Sequence, residues 1–228
     1  MVNLHPIYLL TTIIKYGTKS ATGFFFSEKE QLYLVTAKHV IYGSDYTQKD
    51  ATPKIHFFTL TLHVNRQDFR MNEDVTIKLF DGSGQRIWLE HSEPQIDVVL
   101  IPISLDENKF IISKMNKSFI EENDELLVQF EKILIVGYPF GWYDDKFNFP
   151  IVRVGHLSSP FKIPFKGEPA MLGDAITHSG MSGSPVMMLF RDPITRDKKG
   201  NLIPQQGYKY LLAFIHRSLR YTENLENI

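Results

Sequence analysis

The segment SGMSGSPV at residues 179–186 places Ser182 within a short run of glycines and serines that ends at a proline. Because glycine accepts backbone conformations barred to other residues, the chain can turn tightly here. In such a turn the N–H groups of Gly180 and Ser182 can point into one small pocket, the geometry that stabilises an oxyanion. The chemistry that this predicts is attack of a serine hydroxyl on a carbonyl carbon. Taken alone, the segment is equally typical of a surface turn.

Ser184 is a second candidate nucleophile in the same segment. It has glycine on one side only and Pro185 on the other, so no pair of flanking N–H groups would converge on it. A nucleophile elbow of the form G-x-S-x-G is excluded, since Ser184 and not glycine stands two positions after Ser182. Ser182 is therefore the predicted nucleophile.

Two other segments offer partners for a hydroxyl nucleophile. His39 follows the apolar run LVTA at 34–37, and an imidazole at the end of a rigid strand suits a general base. Asp97 opens the apolar run DVVLIPI at 97–103, where a carboxylate requires a hydrogen-bond donor such as a histidine N–H. Singly, these residues predict only a strand-end histidine and a turn cap. Together with Ser182 they favour nucleophilic catalysis.

The composition excludes several classes of function. There are no cysteines, so a thiol nucleophile and disulfides are excluded. A net charge of -1 and a pI of about 6.7 argue against nucleic acid or an anionic membrane as the partner. The N-terminus has neither a convincing signal peptide nor a membrane span, which favours a cytoplasmic location. No cofactor and no metal are expected, and a protein or peptide substrate remains open.

Short apolar runs separated by Gly, Asp, Asn and Pro predict an all-β protein. The clearest strands are expected at 8–14, 22–27, 32–37, 54–64, 75–80, 87–91, 97–103, 132–139, 150–158, 184–190 and 210–216. DGSG at 81–84 and DKKGN at 197–201 are expected to be hairpin turns. Helix is expected only at 37–43 and around 219–226. The polar stretch 104–125 is the predicted connector between two β units.

These segments resemble the trypsin-like, chymotrypsin-fold serine peptidases. TAKH at 36–39 is similar to their TA-x-H motif, DVVL at 97–100 to D-[IV]-[AV]-L, and GMSGSP at 180–185 to G-x-S-G-[GS]-P. VGYPFG at 136–141 and VRVGHLSS at 152–159 look like segments of bacterial HtrA-type domains. SGSPV with the late strand ending in Ile215 and His216 is closer to glutamyl endopeptidases, although Phe214 stands where those enzymes carry glycine.

The resemblance implies two six-stranded antiparallel β-barrels with the active site in the cleft between them. Residues 1–118 would form the barrel that carries His39 and Asp97, and residues 119–228 the barrel that carries Ser182. Ser182 would attack the scissile carbonyl, His39 would take and return its proton, and Asp97 would hold the imidazole tautomer. The N–H groups of Gly180 and Ser182 would form the oxyanion hole.

The substrate pocket is expected around Ile176, Thr177, Phe214 and His216. Ile176 stands six residues before the nucleophile, at the base of the primary pocket in trypsin-like peptidases, and it cannot pair with a lysine or arginine. With Leu212 and Phe214 it predicts an apolar pocket. If His216 lines the pocket instead, an acidic or polar substrate residue is favoured. His178 is expected to have no special role.

The long aromatic loops at 141–150 and 162–172 are expected to regulate the enzyme, one of them by gating the oxyanion hole. A regulatory protein on another chain is the alternative trigger. A different class of function is a catalytically silent, chymotrypsin-fold module that binds proteins. The presence of all three catalytic side chains favours the enzyme, since a binding module has no physical need for them.

Overall fold

The computed structural model describes residues 4–48, 50–64, 69–117, 132–144, 146–160, 163–168 and 170–188. Beyond residue 188 it describes the backbone of three short strands, 194–196, 202–204 and 212–214. The second predicted helix, around 219–226, and the turn at 197–201 lie outside these ranges. So does the boundary expected at residues 118 and 119.

Seven strands of the first half form one antiparallel sheet in the order β5-β4-β1-β2-β3-β7-β6. Their bounds are β1 Thr11–Tyr16, β2 Lys19–Glu28, β3 Gln31–Thr36, β4 Phe57–His63, β5 Asn72–Lys78, β6 Leu89–Glu90 and β7 Val99–Ile103. A 3-10 helix at Pro6–Leu9 precedes β1, and a one-turn helix, α1 Lys38–Tyr42, follows β3. A second 3-10 helix, Gly43–Asp45, continues from α1.

The second half supplies seven further strands in two sheets. Their bounds are β8 Lys132–Gly137, β9 Ile151–Leu157, β10 Gly173–Asp174, β11 Pro185–Met188, β12 Ile194–Arg196, β13 Leu202–Pro204 and β14 Leu212–Phe214. Five of these strands form an antiparallel sheet in the order β10-β9-β8-β11-β14. The strands β12 and β13 form a separate antiparallel two-stranded sheet.

Apolar packing holds the strands together within and between the large sheets. The core of the first sheet includes Ile14, Leu34, Phe58, Leu60 and Ile101, all fully buried. Each such side chain contributes about 1.5 to 3 kcal/mol by leaving water. A second cluster joins the sheets, because Phe24 and Val35 of the first pack with Val136 and Met187 of the second.

The all-β class predicted from the sequence is confirmed, and strands form at nearly every expected segment. Among the described residues the two large sheets have seven and five strands. The predicted turn at 81–84 forms, since the Asp81 carboxylate accepts from the backbone N–H groups of Ser83 and Gln85, both at 2.8 Å. The Ser83 hydroxyl also donates to this carboxylate, at 2.7 Å. That bond, with the largest effect, and the backbone bonds lower the pKa of the exposed Asp81 carboxyl.

The start of the predicted connector packs against the first sheet. Phe110, Ile111 and Met115 are buried there. The Met115 N–H donates to the Phe25 carbonyl at 3.0 Å, and the Met115 carbonyl accepts from Ser27 N–H at 2.7 Å. The segment looked like a linker because polar residues surround these three apolar ones, and its strand-like pairing depends on contacts distant in sequence.

His63 lies in an aromatic cluster that predicts a pH-dependent stability. Its ring packs against Phe69 and Phe149, with centroids 5.8 and 5.2 Å away. Burial lowers the pKa of His63, and its hydrogen bond to the Phe69 carbonyl offsets this only in part. The folded protein therefore binds the proton more weakly than the unfolded chain does. The stability from neutral His63 is present above the unfolded pKa of about 6.5 and is lost as the pH falls below it.

We expect the free energy of unfolding to fall more steeply between neutral and mildly acidic pH in the wild type than in His63→Phe. Chemical denaturation at a series of pH values measures this difference. His156→Gln is the control, because His156 is exposed in β9 and its replacement should leave the slope as in the wild type. Equal slopes in the wild type and in His63→Phe would contradict the expectation.

Candidate active site

Three side chains from distant parts of the sequence form one hydrogen-bonded chain. The Nδ1 atom of His39 lies 2.6 Å from Oδ2 of Asp97, and its Nε2 atom lies 2.8 Å from Oγ of Ser182. Asp97 is 2 % exposed, whereas His39 and Ser182 are partly accessible. With Nδ1 protonated toward Asp97, the free Nε2 lone pair can accept the hydroxyl proton.

Neighbouring strands of the first sheet bring His39 and Asp97 together. Thr36, at the end of β3, pairs with Val99, at the start of β7, so His39 and Asp97 lie at the same end of the two strands. The backbone N–H of His39 donates to Asp97 Oδ1 at 2.8 Å, and both carboxylate oxygens thus face the same residue. These bonds satisfy the buried carboxylate and fix the imidazole.

Ser182 is presented by a turn that only glycine could form at two positions. Gly180 and Gly183 have φ values of 92° and 83°, in the left-handed region. A Cβ atom on Gly183 would collide with the Thr22 carbonyl and the Thr36 hydroxyl. One on Gly180 would collide with the Tyr138 carbonyl. Each glycine therefore allows both the turn and a close approach to the first or second sheet.

The carbonyl groups of this turn are fixed, and this directs the N–H groups that could bind an oxyanion. The Ser179 carbonyl accepts from Phe140 N–H at 2.5 Å, and the Met181 carbonyl accepts from Ser184 N–H at 2.9 Å. In a trans peptide the C=O and N–H bonds point in opposite directions. The N–H groups of Gly180 and Ser182 therefore point away from these partners, and neither has an acceptor among the described residues.

Thr22 is a site residue that the sequence did not indicate. Its hydroxyl donates to the Gly180 carbonyl at 2.8 Å and accepts from Tyr138 N–H at 3.1 Å. Its backbone N–H donates to the Ser182 carbonyl at 2.9 Å. One residue of β2 thus holds the Ser182 turn from the other sheet. No motif marks it, because a threonine in a strand is ordinary.

Glu90 is a second site-supporting residue that sequence reasoning missed. Its carboxylate accepts from Lys38 Nζ at 2.8 Å and from Tyr42 OH at 2.5 Å, which are the first and last residues of α1. It also accepts from Trp88 Nε1 at 2.7 Å. Burial by itself would raise the pKa of the Glu90 carboxyl, but the bonds from Lys38, Tyr42 and Trp88 hold it below its usual value.

The Glu90 bonds stabilise a helix too short to persist alone. A five-residue helix is far below the length at which isolated helices are stable in water. Glu90 also pairs with Val99 in the sheet, two residues after Asp97. It therefore connects the helix that carries His39 with the strand that follows Asp97.

We expect Glu90→Gln to destabilise the protein by about 2 kcal/mol, because the amide leaves the buried Lys38 ammonium without its charged partner. Thermal and chemical denaturation measure this change. The double variant with Lys38→Met should be less destabilised than Glu90→Gln alone. Glu73→Gln is the matched control, since Glu73 binds Lys109 at 2.6 Å on the exposed surface and should cost less than about 1 kcal/mol. A loss no larger than the control's would contradict the expected role.

The other residues singled out from the sequence lie in different surroundings. Ser184 is fully buried and its hydroxyl has no hydrogen-bond partner, which makes it unsuited to attack a substrate. Met181, whose role the sequence does not explain, is fully buried. Ile176 is 65 % exposed and Thr177 is half-buried, beside the same turn in sequence.

The rest of the predicted pocket is only partly within the described structure. Phe214 pairs through its backbone with Pro185, so β14 runs beside the strand that follows Ser182. Its side chain and all of His216 lie outside the described residues. His178, expected to have no special role, stacks on the Phe140 ring with centroids 4.5 Å apart.

The described residues contain neither a membrane-spanning helix nor a cluster of metal ligands. No helix in these ranges is long and apolar enough to cross a membrane. No group of three or more His, Asp or Glu side chains in the described part of the chain is placed to hold a metal ion.

A family model described as a trypsin-like peptidase domain matches residues 21–188, which is more than half of the chain. Among solved structures, an HtrA-type protease, AlgW, determined with a tripeptide, is similar with a TM-score of 0.46 and 16% identity over 90% of this chain and 56% of that one. A thermostable serine protease, AL20, from an extremophilic microorganism is similar with a TM-score of 0.48 and 9% identity, covering 92% of this chain and 93% of that one.

Human heparin binding protein is similar with a TM-score of 0.46 and 10% identity, covering 92% of this chain and 88% of that one. No curated protein sequence matches the chain significantly. The chain spans little more than half the length of the AlgW chain.

Proposed function

The chain belongs to the trypsin-like peptidase domain family, and we propose that it is a serine endopeptidase with Ser182 as nucleophile, His39 as general base and Asp97 as the residue that orients the base. The observation that carries the proposal is the continuous chain of bonds, 2.6 Å from Asp97 to His39 and 2.8 Å from His39 to Ser182. Family membership favours peptide or protein substrates.

The reaction begins when Ser182 Oγ attacks the scissile carbonyl carbon and gives its proton to His39 Nε2. Asp97 stabilises the imidazolium that forms without taking a proton itself. His39 then protonates the leaving amine, and the acyl group remains on Ser182 as an ester. Water attacks this ester with His39 again as base, which releases the acid and restores the hydroxyl.

The N–H groups of Gly180 and Ser182 are the proposed oxyanion donors. Their peptide units are oriented by Phe140 and by Ser184, whose N–H groups bind the carbonyls on the opposite edges. Thr22, on β2 of the first sheet, restrains the carbonyls of Gly180 and Ser182 by donating a hydrogen bond to each. Donors fixed in this way need little reorganisation when negative charge develops, which is the main source of oxyanion stabilisation.

The substrate pocket remains assigned to Ile176, Thr177, Phe214 and His216. Ile176 is 65 % exposed and six residues before Ser182 in sequence, which supports an apolar side chain that substrate can reach. We propose that Ile176 and Phe214 make the pocket selective for apolar substrate residues. The alternative is a preference for acidic or polar residues, if His216 lines the pocket.

Regulation by the loop 141–150 is supported by its contacts at both ends. Phe140, just before the loop, binds the Ser179 carbonyl, and Gly141 lies against Ser20. At the other end the Asn148 amide donates to the Thr61 carbonyl at 3.1 Å. Displacing this loop would move Phe140 and break its hydrogen bond to the Ser179 carbonyl. The peptide unit between Ser179 and Gly180 could then rotate, and Gly180 N–H would lose its orientation. The described hydrogen bonds of the loop 162–172 lie within the loop or join it to Ser158 and Ser159, just after β9, and none joins it to the Ser182 turn.

Incubation with a diverse peptide library tests the proposed activity. We expect internal cleavage, with new termini detected by mass spectrometry and a preference for apolar residues before the cleaved bond. A strong preference for lysine or arginine would overturn the pocket assignment and leave the activity intact. Absence of cleavage by folded protein would contradict the enzyme and support the alternative of a catalytically silent protein-binding module.

A further inference from the structure

Two large aromatic side chains beside the Ser182 turn are exposed to solvent. Phe140 is 52 % exposed and Trp142 is 65 % exposed, with ring centroids 5.5 Å apart. The Phe140 ring also stacks on His178 at 4.5 Å with an interplanar angle of 30°. We call Phe140, Trp142 and His178 the aromatic step. Single exposed apolar residues need no explanation, but an exposed aromatic cluster beside a functional site favours a binding role.

The aromatic step contacts the peptide unit that carries one of the two proposed oxyanion donors, Gly180 N–H. Phe140 N–H binds the Ser179 carbonyl, in the peptide unit that also carries Gly180 N–H. His178 is four residues before Ser182, and its carbonyl accepts from Met181 N–H at 3.2 Å. Since β8 and β11 pair antiparallel, the chain after β8 and the chain before β11 meet at one end of the sheet. The step and Ser182 therefore share that end.

The backbone at the step is held in an unfavourable conformation. Phe140 has a φ of 57°, a region that bulky residues seldom occupy. Glycine or asparagine would fit this position with less strain. The hydrogen bond from Phe140 N–H to the Ser179 carbonyl accounts for the backbone conformation of Phe140. It does not account for an exposed aromatic side chain at this position.

We propose that the aromatic step is a substrate subsite, which binds a large apolar or aromatic side chain of a peptide lying across Ser182. This inference rests on the proposed endopeptidase function and names its substrate class. An extended peptide advances about 3.3 Å per residue, so a residue only a few positions from the scissile bond can reach the step. Phe140 and Trp142 offer ring faces and edges, which favour aromatic and large aliphatic partners. The occupant is the substrate itself, because the step is continuous with the turn where the scissile carbonyl must bind.

Tryptophan fluorescence provides a direct test of binding that does not require turnover. The chain has two tryptophans, and Trp88 is 4 % exposed whereas Trp142 is on the surface. In the Ser182→Ala background, short capped peptides that differ only in one residue (Phe, Leu or Ser) are titrated. We expect the Phe and Leu peptides to shift the Trp142 emission to the blue and to bind at least about tenfold more tightly than the Ser peptide.

A second variant separates the step from the rest of the site. Phe140→Asn keeps the backbone N–H and suits the left-handed conformation, so the bond to Ser179 is retained. In the same background it should weaken the Phe peptide about tenfold and the Ser peptide by less than about twofold. Phe57→Ala is the control, because Phe57 is similarly exposed, at 60 %, but lies on β4 of the first sheet.

Equal binding of the Phe and Ser peptides would overturn the subsite, and so would an unchanged affinity of the Phe peptide in Phe140→Asn. A blue shift caused only by a protein partner, with no response to any peptide, would also overturn it. Failure of the proposed function is recognised separately, since the wild-type protein would then cleave no peptide in the library. If the step binds Phe peptides but the wild-type protein hydrolyses none, the binding site is supported and the endopeptidase function is contradicted.

Discussion

Replacing Ser182 with alanine is expected to lower kcat for peptide hydrolysis by about five to six orders of magnitude, which leaves no measurable cleavage. In the proposed mechanism the Ser182 oxygen forms the ester with the substrate. No other described hydroxyl is hydrogen-bonded to His39 Nε2. Release of labelled fragments from a peptide found in the library screen measures the change. Thermal denaturation shows whether the variant is folded.

Ser184→Ala is the matched control for the nucleophile. Ser184 lies two residues away and its buried hydroxyl makes no hydrogen bond, so removal of the oxygen should change kcat by less than about tenfold. Full activity in Ser182→Ala, or loss of activity only in Ser184→Ala, would contradict the assignment of Ser182.

Asp97→Asn is expected to lower kcat by about four orders of magnitude while the protein remains folded, the loss known for this change in the serine protease triad. The amide oxygen can still accept from the backbone N–H of His39, which now binds Asp97 Oδ1. The amide NH₂ group would then face His39 Nδ1, where Oδ2 accepts at present. A donor at that position makes Nδ1 the acceptor and places the proton on Nε2. His39 would thus present N–H to Ser182 and could not remove its proton.

Steady-state kinetics of the purified variant measure this effect, and kcat should fall far more than KM rises. Asp106→Asn provides the comparison, because Asp106 is an exposed carboxylate that caps a turn through Asn108 N–H. A kcat for Asp97→Asn within about tenfold of the wild type would contradict the orienting role of Asp97.

Much of the architecture could be predicted from the sequence because the strands carry local signals. The apolar runs at 32–37 and 97–103 form β3 and β7, and the short helix α1 lies within the segment 37–43 where helix is expected. The two antiparallel sheets and the family match confirm the all-β, chymotrypsin-type class. The candidate residues His39, Asp97 and Ser182, which the structure brings together, could also be predicted from motifs. Each motif combines the candidate residue with neighbours that shape its backbone.

Residues that support the site from a distance could not be found in this way. Thr22 acts through bonds to Gly180 and Ser182, some 160 positions away along the chain, which no local pattern encodes. Glu90 binds both ends of α1, yet in the sequence it is one acidic residue in a short strand. The supporting roles of Thr22 and Glu90 depend on which strands lie side by side, and strand pairing is a property of the folded chain.

The role of Met181 illustrates the same limit within a recognised motif. The sequence explains the glycines around it by their conformational freedom, but it does not specify the side chain between Gly180 and Ser182. The structure buries Met181 completely, so this position of the turn takes an apolar side chain out of water. A flexible thioether suits such a position because it fills irregular space.

Reaction with a fluorophosphonate probe, followed by peptide mapping, tests the central claim most directly. Such a probe bonds covalently to a serine only where a base and an oxyanion site activate the hydroxyl. The proposed mechanism predicts one adduct on Ser182 in the wild type and none in folded Ser182→Ala. An adduct on a different residue, or no adduct on the folded wild type, would contradict it.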